Sequence, residues 1–303
     1  MSKHFALLAW LALLPLASAG TNAVVRPFFA YCVELGAPGV TPRPLAAQAA
    51  LLRELGYDGM GVELGLDAGF TNTLRTLDEA GVALHMVWTT VNVNPAKGPA
   101  FSAQLPEAIR RLAGRPVAVA VLLAGLPPGD PAGLEPAVAA LRQLGDCAAG
   151  AKARVSIYNH VGNWAASLPF AIEVVRQAKH PQVGFNFNLC HWLKVDGRLD
   201  YRPLLRDNVA KLFCVTLNGA QTNATTWTHG LIQPLDKGDF DNRALLGLLE
   251  EIGYRQPVGL MCYGVPDEAR AHLARSMAAW RALNTAPLQE QARRDPPPAA
   301  GGP

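Results

Sequence analysis

Short apolar runs alternate along the chain with longer stretches whose apolar side chains recur every three or four positions. Residues 28–35 (FFAYCVEL) form a compact apolar run and read as a strand. In residues 41–57, Leu45, Ala49, Leu52 and Leu55 fall on one helical face. Thr41 suits the amino end of that helix, and Gly56 follows its last turn as a stop. The rhythm continues with a strand at 58–65, a helix ending in LRTLDEAG, a strand at 82–93, a helix at 100–114, a strand at 116–125 and a helix at 134–151. The strand at 116–125 (PVAVAVLLAG) has almost no polar residue, as a strand covered on both faces requires. Further strands follow at 154–162, 183–193, 212–221 and 257–265, with helices after them at 168–180, 201–212, 241–254 and 267–283.

Eight strands, each followed by a helix, imply a parallel sheet with right-handed crossovers. Eight is also the number that closes such a sheet on itself. The expected fold is therefore α/β, a single-domain (β/α)8 TIM barrel over residues 20–285. A doubly wound open sheet is the competing arrangement, but neither GxGxxG nor GxxxxGK[ST] follows any of the strands.

The two ends fall outside the alternating pattern. Residues 1–19 combine Lys3, an apolar run from Phe5 to Leu16, and small residues at Ala17 and Ala19, which reads as a secretory signal peptide cut before Gly20. The run is shorter than the roughly 20 residues that cross a bilayer. Export to the periplasm or outside the cell is expected, with no integral membrane segment left after cleavage. Residues 286–303 are rich in Pro, Ala and charge and are expected to be disordered.

Composition excludes more than it selects. The chain of 303 residues is 50% hydrophobic and 17% charged, with a net charge of +3. Its basic residues are scattered, so no nucleic-acid partner is expected. The five cysteines are an odd number, show no CxxC spacing and mostly sit in apolar runs, so they read as buried small side chains.

Active sites of such barrels lie at the carboxyl ends of the strands. That rule selects Glu34, Glu63, His85, Trp88, Tyr158, Asn159, His160, Asn186, Asn188, His191, Trp192, Thr216, Asn218, Cys262 and Tyr263. The loop after the seventh strand adds His229, Gln233, Asp236 and Asp239. Amides and neutral imidazoles both donate and accept hydrogen bonds, and indole rings offer a flat apolar face. No Arg falls at these strand ends, so an unphosphorylated carbohydrate or polyol is the expected small-molecule partner.

Five segments resemble one known family. LGYDGMGVEL, VSIYNHVGNW, VGFNFNLCHW, QPLDKGDFD and GYRQPVGLMCYG are similar to the second, fifth and sixth strands, the loop before the seventh helix, and the eighth strand of xylose isomerase-like TIM barrels, the sugar phosphate isomerase/epimerase superfamily. The resemblance covers nearly all of the chain after residue 19 and implies isomerase or epimerase chemistry on a sugar. It also implies a divalent metal held by Glu, Asp, His and Glu on strands five to eight. The matching positions here read Tyr158, Asn188, Thr216, and Met261 or Cys262, none of them an anionic oxygen ligand of the kind Mn²⁺ or Mg²⁺ requires. The flanking histidines, His160 and His191, remain. The usual ligands of a divalent metal are therefore replaced and no cofactor is expected at them; a Zn²⁺ site from His160, His191 and Cys262 is the alternative.

Three functions fit these residues. The first is an exported isomerase/epimerase-like enzyme using His160, His191 and Glu63 as catalytic groups. In it Glu34, His85, Trp88, Tyr158, Asn188, Trp192, Asn218, Gln233 and Asp236 contact substrate. The second is a carbohydrate-binding pseudoenzyme. The third is a metal-independent lyase or hydrolase that pairs Glu34 or Glu63 with a histidine.

Overall fold

The computed structural model describes residues 26–285; the expected signal peptide and carboxyl-terminal tail lie outside them. Eight parallel strands close into a barrel in sequence order: β1 (Phe28–Tyr31), β2 (Gly59–Glu63), β3 (Ala83–Asn92), β4 (Ala118–Ala124), β5 (Arg154–Ile157), β6 (Val183–Asn188), β7 (Leu212–Leu217) and β8 (Val258–Met261). Closure is made by β8 on β1, with Phe28 to Tyr31 opposite Val258 to Met261. The helices are α1 (Leu45–Leu55), α2 (Phe70–Ala80), α3 (Leu105–Arg110), α4 (Leu134–Ala151), α5 (Leu168–Ala178), α6 (Leu189–Asp196), α7 (Tyr201–Asn208), α8 (Asn242–Glu251) and α9 (Ala269–Thr285). Among the described residues no helix is long and apolar enough to cross a membrane.

Alternation along the strands sorts side chains into two cores. Phe28, Val87, Val119, Val155, Phe185, Val215 and Leu260 face the helix layer. Phe29, Tyr31, Met86, Ala120, Tyr158, Cys214 and Met261 face the barrel axis. Trp280 of α9 stacks on Phe28 with ring centroids 4.1 Å apart, fastening the last helix over the first strand.

The first and sixth strands end earlier than the sequence pattern for local reasons. The first strand stops at Tyr31, because Cys32 and Glu34 take left-handed backbone conformations (φ 55° and 60°) that no strand continues. The sixth stops at Asn188, and a helix begins there. The Asn188 side chain accepts from the His191 backbone N–H, so Cys190, His191 and Trp192 occupy the first turn of α6. The apolar run across 183–193 is thus half strand and half helix.

Candidate active site

A cavity of about 580 Å³ opens at the carboxyl ends of the strands. Tyr31, Met86, Trp88, Leu122, Tyr158 and Met261 come from the strands and their ends, and His160, Val161 and His191 from the segments after β5 and β6. Trp227, Thr228 and Ile232 descend from the loop between β7 and α8, and Tyr263 closes one side after β8. Tyr263 lies flat on Gly36, where a Cβ would meet its ring at 2.4 Å. None of the lining side chains is Asp, Glu, Lys or Arg.

The floor is a neutral hydrogen-bonded triad. The Tyr31 and Tyr158 hydroxyls are 3.1 Å apart, and Asn188 Nδ2 donates to Tyr31 at 3.0 Å and also to Tyr158. Burial above all holds both phenols well above their usual pKa, so they stay protonated. The Cys190 thiol donates to Asn188 Oδ1 at 3.1 Å, and Asn159 Oδ1 accepts from the Asn188 N–H at 3.0 Å.

Above the triad, the His160 and His191 rings stand 4.0 Å apart. His160 Nδ1 is 2.8 Å from the Val161 carbonyl, and the Val161 N–H donates to His191 Nδ1 at 3.5 Å. Burial lowers the pKa of His160, against the opposing pull of its carbonyl partner. Burial, reinforced by the neighbouring His160, lowers that of His191 well below the ordinary value. Both rings are neutral near pH 7. Trp227 packs edge-on against His191 at 5.3 Å.

The remaining predicted site residues are distributed as follows. Trp88, Tyr158, His160 and His191 line the cavity, and Asn188 lies beneath it. His85 does not reach the mouth. It sits where β3 carries an extra residue relative to Met60 and Gly61 of β2, and its ring packs 5.5 Å from Phe29 near the opposite end of the barrel. Trp192 faces the helix layer, against Phe187 and Tyr201. Glu34 is turned away by its backbone and held by Arg43, through the Arg43 N–H at 2.7 Å and its guanidinium at 2.8 Å. Glu63 is exposed at the rim; burial first, then the Glu63 charge, pushes the Cys32 thiol up to about 12. Asp236 pairs with Arg275 at 2.6 Å. Asn218 Nδ2 donates to Gly219 and Leu231 carbonyls, each at 2.7 Å, and Gln233 Nε2 to Gly230 at 2.9 Å. Those two amides brace the loop that delivers Trp227 and Ile232.

Tyr31, Met86, Leu122, Ile232 and Trp227 were not singled out as site residues from sequence. For Tyr31 the signal was available, since Phe29 and Tyr31 share one face of β1.

The positions where the resemblance implies a metal hold Tyr158, Asn188, Thr216 and Met261. Two phenols are absent from the resemblance's ligand set, and those present here are protonated and bonded to each other and to Asn188. This neutral donor set does not fit a hard divalent cation. Cys262 lies in the outer core, its thiol toward the Leu260 carbonyl, so it does not join His160 and His191 around a Zn²⁺. Among the described residues no three His, Cys, Asp or Glu side chains are grouped to hold a metal ion.

A family model described as xylose isomerase-like TIM barrel matches residues 49–283. No curated protein matches the chain. Among solved structures, a xylose isomerase-like TIM barrel/4-hydroxyphenylpyruvate dioxygenase fusion protein is 20% identical with a TM-score of 0.66, over 90% of this chain and 45% of its own length. This chain thus spans under half of that fusion protein. A 3-keto-D-glucoside 4-epimerase from E. coli is 16% identical with a TM-score of 0.67, over 86% of this chain and all (100%) of its own. A family 2 AP endonuclease from Brucella melitensis is 18% identical with a TM-score of 0.65, over 85% and 98%. At such identities the likeness concerns the fold.

Proposed function

The chain belongs to the xylose isomerase-like TIM barrel family, and on that premise we propose that it acts on an uncharged carbohydrate or polyol at the carboxyl-terminal mouth of the barrel, without a divalent ion. The observation that carries this reading is the lining of the cavity: two neutral histidines set in a wall of aromatic and aliphatic side chains, with no charged residue among them. A sugar fits by laying its C–H face on Trp88 or Trp227 and turning hydroxyls to the imidazoles. A phosphorylated sugar would meet no cation there. The signal-like residues 1–19 support export, and phosphorylated intermediates are kept inside the cell. The 3-keto-D-glucoside epimerase among the structural neighbours supports the sugar class.

The test is titration of the intrinsic fluorescence of the protein, which has Trp88 and Trp227 in the cavity wall. Neutral methyl and phenyl glycosides should quench or enhance it with saturation, unchanged by chelator or by Mn²⁺. The phosphate esters should not. Binding that requires Mn²⁺, or that prefers the phosphate, overturns the proposal.

A non-catalytic binding protein is the second reading. It is favoured by one observation: Glu34 and Glu63, the carboxylates available for acid–base work, lie outside the cavity lining. Saturable binding without turnover of any bound sugar would select it.

A further inference from the structure

One residue bonds to both histidines, and it does so with opposite polarity. The Val161 carbonyl can only accept, so the Nδ1 of His160 facing it at 2.8 Å carries the proton. The Val161 N–H can only donate, so the Nδ1 of His191 facing it at 3.5 Å is bare. In a neutral imidazole the second nitrogen takes the complementary state. His160 therefore presents a bare Nε2 and His191 presents Nε2–H. Among the described residues neither Nε2 has a hydrogen-bond partner, and neither is among the polar atoms sealed from solvent. Both rings line the cavity.

The geometry points to an acid–base pair in which Val161 fixes His160 as the proton acceptor and His191 as the donor, reading an α-hydroxy carbonyl group of the ligand. This deepens the carbohydrate reading above and rests on it. With the carbonyl oxygen on His191 Nε2–H, His160 Nε2 takes the proton from the carbon that bears the hydroxyl. The C–H electron pair becomes the C=C bond of an enediolate. The carbonyl π pair moves to oxygen, where the neutral His191 N–H holds it. Return of the proton to the same carbon regenerates the ligand. Return to the neighbouring carbon, with the hydroxyl proton passing between the two oxygens, shifts the carbonyl by one position. No oxidant, reductant or metal takes part. Val161 is a positioning residue; His160 and His191 touch the reacting atoms.

Two measurements test this separately. The first needs no ligand: ¹⁵N NMR of the histidine ring nitrogens in the whole protein, with His160→Gln and His191→Gln used to assign the signals. The expected result is a protonated Nδ1 with bare Nε2 in His160, and the reverse in His191. The same tautomer in both rings overturns the pair even if sugars bind. The second is deuterium wash-in to dihydroxyacetone, D-fructose and D-tagatose in D₂O with chelator, read by mass spectrometry. Wash-in should fall by about 10² or more in His160→Gln. No wash-in to any of the three, with opposite tautomers present, overturns the α-hydroxy carbonyl assignment and leaves the binding reading to its own fluorescence test. If His160→Gln does not fold, alkylation of the imidazoles by a ketose-derived halomethyl ketone, with loss of halide, decides. Alkylation on His160 Nε2 supports the acceptor role, and alkylation on His191 alone overturns it.

Discussion

His272 makes the stability of this barrel depend on pH in a way that can be calculated. It sits on α9 and is only 2% exposed, beside a groove that includes Glu34, Asp267 and Glu268. Burial lowers its pKa from 6.5 to about 4, against the opposing pull of Asp267, Glu268 and Glu34. The unfolded chain therefore binds a proton that the folded chain refuses. The stabilising contribution is complete above pH 6.5 and is lost progressively as pH falls toward about 4. The whole interval corresponds to about 3 kcal/mol, and about 2 kcal/mol is already lost near pH 5. His272→Gln removes the titration while keeping a neutral polar side chain of similar reach. Urea unfolding of wild type and variant, followed by tryptophan fluorescence at about pH 7.5 and about pH 5, gives the difference directly. The variant should lose about 2 kcal/mol less than wild type over that interval. Equal losses would refute the reasoning, because they would place the proton uptake elsewhere.

Asn188→Ala removes the N-cap of α6 and the donor to both phenols at once, and should cost about 2–4 kcal/mol in urea unfolding. Gly219→Ala should cost more than about 2 kcal/mol, because its Cβ would lie 2.0 Å from the Pro234 carbonyl and the loop carrying Trp227 would have to move. Trp227→Ala should leave the melting temperature within a few degrees of wild type and weaken glycoside binding at least about tenfold by calorimetry, since it strips one wall of the cavity and the edge contact to His191. Elemental analysis of chelator-free protein should show no stoichiometric Mn, Mg or Zn, and chelator should leave the melting temperature unchanged. One tightly held ion per chain would show that the Tyr158–Asn188 donor set had been misjudged.

The barrel was legible because its signal is collective. Each strand and helix is short, but a parallel closed sheet demands the same alternation eight times, and the order of strands follows from it. The site was legible only in part, and the misses have local causes. Glu34 was placed at a strand end, yet it is a non-glycine residue in a left-handed conformation, for which the sequence carries no marker. His85 shifted because β3 has one more residue than its neighbour at that point, and an extra residue reverses the face of what surrounds it. Trp192 was read as part of a strand, where alternation would have aimed it differently; in a helix that starts at Asn188 it falls on the outer face. Asn218 and Gln233 were found for their polarity, and their amides are taken up by the loop backbone. The apolar character of the cavity was the largest departure from the polar lining the sequence suggested. Met86, Leu122 and Ile232 look like ordinary core residues until the strands are closed around them.

The absence of charge from the cavity wall also bears on the surroundings in which the protein can work. A ligand held by aromatic faces and neutral imidazoles releases no counter-ions when it binds, and it is not drawn in by a long-range field that dissolved salt could screen. Its affinity should be nearly the same in fresh water and in brine, and its capture rate should be that of an unsteered encounter. For a protein proposed to be exported to a medium of uncontrolled ionic strength, that indifference would separate it from barrels that grip their substrates through phosphate and metal.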